Sequence, residues 1–322
     1  MRLALIFALI APPVSADVAQ ALQIQVLPVH QQLADQTAKL ADEARKDCTA
    51  KALQPAFHEA YDAWISASHI QFGPIEVHGF SLAMGFWPDP RGTVAKTVAR
   101  LSAAQDPIVE DPEAFADVSV AAQGFTALER ILYTPQPDAA YACALTVAIT
   151  TGLAEKSATL LASWPAFSEL MQTPGAEGNE MFQSEDDAKR ALYTALSTGL
   201  EFLHDQRLGR PLGTFDRPRP NRAEALLSQR SLRHIRLSLA ALEQLATTLS
   251  DDELLKTSAA FSEARQRADA LDDPILAGVS VPSERFRIEV LQRSVRAVQV
   301  AVIAEVGTPL GISAGFNALD GD

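Results

Sequence analysis

Cysteine is nearly absent from this chain. Two residues among 322, Cys48 and Cys143, cannot build a cysteine-ligated metal knuckle, and their spacing is not that of a Cys-x-x-Cys redox motif. Histidine is scarce as well. The six, His30, His58, His69, His78, His204 and His234, include no His-Glu-x-x-His pair of the kind that places two imidazoles on one helical face for zinc. A phosphate-cradling glycine loop, a dinucleotide fingerprint and a Gly-x-Ser-x-Gly elbow are all missing, which excludes the commonest motif-borne nucleotide and serine-hydrolase chemistries. Basic residues are outnumbered, 27 Lys and Arg against 40 Asp and Glu, for a formal net charge of −13. Such a surface argues against nucleic acid and anionic membranes as partners; it favours cationic ligands, and solubility alone is the other explanation. Beyond the first residues no apolar run approaches the ~20 residues that span a bilayer.

The N-terminus does carry a short apolar run. Arg2 supplies a minimal basic region, Leu3 to Ala11 is apolar, Pro12-Pro13 breaks it, and Val14-Ser15-Ala16 places small residues at a cleavage position. This is the layout of a secretory signal over residues 1–16, cut after Ala16, and it predicts a periplasmic protein. No cysteine follows the cut, so a lipid-anchored form is not expected. An exported protein meets an oxidising compartment, and an even cysteine count then suggests a Cys48–Cys143 disulfide; two independent buried thiols are the alternative.

Hydrophobic residues make up 48% of the chain, enough for a sizeable core, and their spacing is helical. Leu53, Phe57, Tyr61 and Trp64 fall at i, i+4, i+8 and i+11; Phe125, Leu128 and Leu132 at i, i+3 and i+7. Leu232, Ile235, Leu239, Leu242 and Ala246 keep a 3-4-3-4 spacing, as do Ile288, Leu291, Val295, Val298 and Val302. Each series puts an apolar stripe on one helix face, as bundle packing requires. The predicted fold class is therefore all-α, two packed helical bundles over residues 17–172 and 181–322, joined through the Pro/Gly-rich run Thr173 to Gly178. A weak echo between the halves suggests an internal duplication. Asp111 reads as a cap before Pro112, Pro135 and Pro137 as a helix stop, and Asn221 as the N-cap of a helix carrying Arg222.

Several segments resemble the imelysin-like family: Trp64 through Phe72-Gly73-Pro74-Ile75, Phe86-Trp87-Pro88, Gly124-Phe125-Thr126-Ala127-Leu128-Glu129, Leu208-Gly209-Arg210-Pro211 to Arg217-Pro218-Arg219-Pro220-Asn221-Arg222, and Gly315 to Asp322. The resemblance covers essentially the whole mature chain. It implies two helical bundles with a site between them, export, and an association with bacterial iron acquisition; some members are called metallopeptidases of the M75 class. The family signature is Gly-x-His-x-x-Glu on a helix. Gly124 and Glu129 match it, and Thr126 stands in the histidine position. A His and a Glu at i and i+3 share a face and can converge on one cation, whereas a neutral hydroxyl is a poor transition-metal ligand.

Around this motif Gln123, Thr126, Glu129, Arg130 and Tyr133 form a polar stripe opposite Phe125, Leu128 and Leu132. One reading is a ligand pocket in which Glu129 binds or orients a ligand, with Glu129 as a weak metal ligand at most. The other is a structural pair in which an arginine of the second half neutralises Glu129, since a buried carboxylate must be paired or protonated. Arg222 and Arg233 are the arginines expected to make internal contacts, Trp87 is read as a pocket or interface residue, and His78 is the loop histidine to watch near a ligand, with a plain surface or core histidine as the alternative. The first function hypothesis is a non-catalytic ligand- or cation-binding accessory of iron uptake, with iron or another cation as ligand and iron-uptake components as partners. A metallopeptidase is the second and a partner-binding helical protein the third.

Overall fold

The computed structural model describes residues 18–250 and 252–311. The export signal, its cleavage after Ala16, and the segment Gly315 to Asp322 lie outside the described residues. Nine longer helices among the described residues carry the fold: α1 (Leu27–Lys46), α2 (Ala50–Ala67), α3 (Thr93–Ala104), α4 (Gly124–Tyr133), α5 (Ala139–Gln172), α6 (Glu185–Glu201), α7 (Ser231–Thr248), α8 (Leu255–Asp269) and α9 (Pro282–Val302). Among the described residues there is no strand, only an isolated bridge between Thr214 and Arg217. None of the described helices is long and apolar enough to cross a membrane.

The apolar stripes become the core. Phe57, Tyr61, Phe125 and Leu128 are all at most 1% exposed, and the series from Ile288 to Val302 is equally buried. Helix α1 packs along α5 and α2, while α8 packs against α9 and α7. The halves meet where α2 lies against α7 and where Val18–Ala21 meets α6. Their buried side chains join in one continuous cluster. Phe57, Tyr61 and Phe125 form its aromatic centre, Tyr61 stacking on Phe125 with centroids 4.9 Å apart.

Cys48 in the α1–α2 turn is disulfide-bonded to Cys143 in the first turns of α5, with a Cα–Cα separation of 5.3 Å. The caps follow the chemistry of the sequence. Asp111 accepts from the Glu113 and Ala114 amides, and Ser184 with Asp187 forms a capping box at α6. Two prolines, Pro55 and Pro165, ride inside helices rather than ending them.

The expected helix start at Asn221 is not found. Pro220–Arg222 is a single 3₁₀ turn, and α7 begins at Ser231. Ala225 and Gln229 between them take positive φ values of 50° and 58°, which an α-helix does not admit. This irregular stretch delivers Glu224 and Ser228 to the interior. Helix α6 also departs from α-geometry. It runs on into a π-helical segment, Phe202–Leu208, of which Leu203, Arg207 and Leu208 are buried.

Candidate functional site

A cleft of about 720 Å³ opens between the halves. Its first wall is built by the end of α2 and the turns beyond it, with Trp64, Ser68, His69, Phe72, Glu76 and the Gly85-to-Pro88 loop. Its second wall is the α6 face Ala191, Thr194, Ala195, Thr198 and Gly199, continued by Phe202, Asp205 and Arg207. The cleft exists because that α6 face carries only small residues at helical spacing. At Gly199 a β-carbon would stand 2.6 Å from Leu242 Cδ2 and 3.1 Å from the His69 side chain, so glycine lets α6 approach its neighbours below the opening. Trp87 reaches across the mouth and meets Phe202 edge to face at 5.7 Å.

The floor is a buried ion pair. Arg207 Nε donates to Glu224 Oε2 at 2.7 Å and Nη1 donates to Ser238 Oγ at 2.8 Å, with both partners of the pair 7–8% exposed. Arg207 also lies over the Phe202 ring at 5.0 Å. His234 Nδ1 makes a 3.0 Å contact to the same Glu224 oxygen. Burial works to raise the Glu224 pKa, but the Arg207 guanidinium and then His234 outweigh it and hold the carboxyl at about 2. Burial likewise lowers the pKa of His234, against the pull of Glu224. Glu224 is thus kept ionised chiefly by Arg207. His69 is lowered to about 3 by burial, with His30 and Arg207 adding to it, and its Nε2 faces Gln25 Nε2 at 3.3 Å.

The motif helix lies behind this floor. Glu129 is 7% exposed, and its Oε1 accepts from the Ser228 amide at 2.9 Å and the Ser228 hydroxyl at 2.6 Å. Burial raises its pKa, and the Ser228 donors oppose the shift. No arginine side chain bonds to it among the described residues, so the second half reaches Glu129 through a serine. Thr126 Oγ1 accepts from the Phe86 amide at 3.2 Å, tying the loop that carries Trp87 to α4. Gly124 has φ 73°, and a β-carbon there would collide with the Ala83 and Met84 carbonyls. Gln123 donates to the Ala116 and Val118 carbonyls at 3.1 and 2.7 Å and fastens the turn before α4.

The remaining predicted residues are dispersed. Arg130 is half-buried, and its carbonyl accepts from Thr134 at 2.7 Å. Arg233 is exposed and pairs with Asp62 at 3.0 Å, beside Arg230, which pairs with the same carboxylate. His78 is exposed and lies 3.2 Å from Ser163 Oγ, while Arg222 is exposed in its 3₁₀ turn. The structure thus places Trp87 on a cleft wall and ties its loop to Thr126 through Phe86, and it joins Glu129 to the second half through Ser228. It leaves His78 and Arg222 outside both places.

A transition-metal centre does not fit the residues at this motif. The hydroxyl at 126 is engaged as an acceptor, one Glu129 oxygen takes two donors, and no three His, Cys, Asp or Glu side chains converge among the described residues.

Residues 26–302 match the family profile of imelysin, peptidase M75. The chain belongs to the imelysin family. This imelysin is similar to iron-regulated protein A of Synechococcus elongatus, at 21% identity over 271 residues, which is 77% of this chain and 71% of the relative. An imelysin-like protein from Psychrobacter arcticum superposes with a TM-score of 0.78 at 21% identity, covering 93% of this chain and 96% of that one. A candidate iron-regulated protein A precursor from Parabacteroides distasonis gives 0.70 at 10% identity, covering 90% and 94%. These two structures establish that the imelysin fold is shared.

Within this imelysin, sequence reasoning missed Arg207, Glu224 and Ser228. One signal pointed to Arg207. Leu192, Leu196, Leu200 and Leu203 are fully buried at helical spacing, and residue 207 is the next position of that stripe. An arginine on a buried stripe needs a partner. Nothing in the sequence marked Glu224 or Ser228, because their placement depends on the irregular backbone at Ala225 and Gln229.

Proposed function

We propose that this imelysin-family chain is an exported, non-catalytic ligand-binding accessory of iron uptake, and that its ligand sits in the cleft between the halves. The observation that carries the reading is the cleft's floor. Arg207 and Glu224 neutralise each other there, and Ser238 and His234 bond to the pair, so the floor offers a ligand shape and surface rather than a poised acid, base or nucleophile. The names of the relatives, iron-regulated protein A among them, support an iron context, and the word precursor in one of them supports export. Thr126 fits the same reading, since its hydroxyl anchors the loop of Trp87 at the cleft mouth.

The test uses protein recovered from a periplasmic extract. Intact mass should begin at Asp17, and native mass spectrometry should show a small-molecule adduct that is lost in a folded Thr198→Trp variant, whose indole fills the cleft. Expression should rise on iron limitation. Zinc- or iron-dependent peptide hydrolysis by the purified protein would overturn the non-catalytic reading. An adduct unaffected by Thr198→Trp would overturn the placement.

A further inference from the structure

We infer that the cleft takes an organic cation with an apolar body, such as an ammonium, guanidinium or phosphonium compound, rather than a carboxylate, a phosphate or a bare metal ion. The inference rests on the cleft reading above and adds the ligand's charge and character.

Arg207 is the single Lys or Arg side chain among the residues lining the cleft, and its charge is already matched by Glu224. Its Nε is held by Glu224, its Nη1 by Ser238, and its Nη2 faces Ser68 Oγ at 3.5 Å. The guanidinium lies over Phe202, so one of its flat faces is covered as well. An anion entering the cleft would have to compete with Glu224 for the one guanidinium, whose Nε and Nη1 are already committed to Glu224 and Ser238. His69, the lining imidazole, is neutral near physiological pH because burial holds its pKa at about 3.

Three further carboxylates line the cleft, Glu76, Glu201 and Asp205, against the one guanidinium of Arg207, which Glu224 already neutralises. Glu76 accepts from the Gly73 amide at 3.2 Å, and Asp205 lies 2.6 Å from His204 Nδ1. The carboxylates' field in a concave, partly apolar site attracts positive charge. Trp64, Phe72, Trp87 and Phe202 supply aromatic surface beside them. Indole and phenyl rings attract a cation through their quadrupoles and cover an apolar body by ordinary burial.

A bare metal ion is the poorer occupant. It needs donors converging within a few ångströms, and among the described residues no three His, Cys, Asp or Glu side chains do so. Carboxylates spread around an aromatic opening suit a charge that is itself large and diffuse. The 720 Å³ volume is of the size that holds a drug-sized molecule.

Tetraphenylphosphonium and tetraphenylborate give a direct test, since they share shape and apolar area and differ in the sign of the charge. Titrations of the intact protein, read by calorimetry and by quenching of tryptophan fluorescence, should show the phosphonium binding at least about tenfold tighter than the borate. Glu76→Gln with Asp205→Asn keeps oxygen acceptors at both positions and should weaken phosphonium binding severalfold while leaving borate binding unchanged or improved. Thr198→Trp should abolish the phosphonium signal.

Equal or tighter binding of the borate would overturn the inference. So would absence of phosphonium binding, or binding that Thr198→Trp leaves intact, which would mark surface adsorption. The cleft reading is judged separately by the adduct recovered from the periplasmic extract. A retained adduct with failed phosphonium binding would sink the cationic assignment alone.

Discussion

The variant Glu224→Gln should be among the most damaging single-atom changes available in this protein. It leaves the Arg207 guanidinium, 7% exposed on its side chain, without a counter-ion, and exchanges an acceptor for an amide beside His234 Nδ1. Removing one partner of a buried ion pair costs about 3–5 kcal/mol, because the remaining charge stays desolvated. The pH linkage gives a similar size. Glu224 titrates at about 2 against the ordinary glutamate value of 4.5, a depression worth roughly 3 kcal/mol. For a carboxylate with a depressed pKa this stability is present above about pH 4.5 and is lost as pH falls toward 2.

Unfolding entropy of about 2 cal/mol/K per residue makes a chain of this length shift by roughly 1.5 °C per kcal/mol. The variant should therefore melt about 5–8 °C below the parent at neutral pH. The difference should shrink below about pH 4 as the parent loses its own contribution. The check is thermal unfolding by circular dichroism from about pH 2.5 to 7.5, a range that covers most of the window over which the contribution is lost. The double variant Arg207→Met/Glu224→Leu removes both charges together and should recover part of the loss. A single variant that melts within a degree of the parent, or a double variant worse than the single, would refute the account of the pair.

Three other outcomes are expected. Reduction of Cys48–Cys143, which spans a sequence separation of 95 residues, should lower stability by about 4–5 kcal/mol on the chain-entropy account, read as a lower denaturant midpoint in dithiothreitol. Gly124→Ala should destabilise by ~2 kcal/mol or more, since the residue has positive φ and its β-carbon would strike two backbone carbonyls; an unchanged melting curve would contradict the packing of α4 under Ala83 and Met84. Glu129 has a pKa raised by burial, so the folded state holds its proton longer than the unfolded chain does and stability falls as pH rises through that window. Glu129→Gln keeps an oxygen for both Ser228 donors, and its stability should gain on the parent's as pH rises above the ordinary glutamate value of 4.5, measured by denaturant titration across pH.

Helix content, the apolar stripes and the disulfide were legible in the sequence because each depends on local rules: spacing, capping chemistry, and cysteine parity in an oxidising compartment. The motif around Gly124 and Glu129 was legible as a family resemblance, and the change at Thr126 raised the right chemical question. What could not be read was the partner of Glu129. Its donors come from Ser228, on a stretch where Ala225 and Gln229 adopt backbone angles that no composition rule requires. Asn221 followed by Arg222 and Ala223 has the look of a helix start, and tertiary packing overrides it. The resemblance implies a site between the bundles and Trp87 reads as a pocket or interface residue, but the α6 wall of the cleft was hidden, because a face of small residues reads equally well as close helix packing. Only the position of α2 and the Trp87 loop opposite turns that face into a wall.

The π-helical segment Phe202–Leu208 has a genetic consequence. A π turn holds one residue more than α-helical spacing, and each α-helical residue turns the chain by about 100°. Removing a single codon inside this segment would let it close into ordinary helix, with the strong stripe of α6 unbroken. Side chains beyond the segment would keep their direction, because the wide turn alone had absorbed the extra residue, while those inside it would be re-aimed and Arg207 would lose its line to Glu224. Helix and cleft floor are thus separately heritable. A lineage can lose the floor in one event without losing the helix, and can regain it by one insertion.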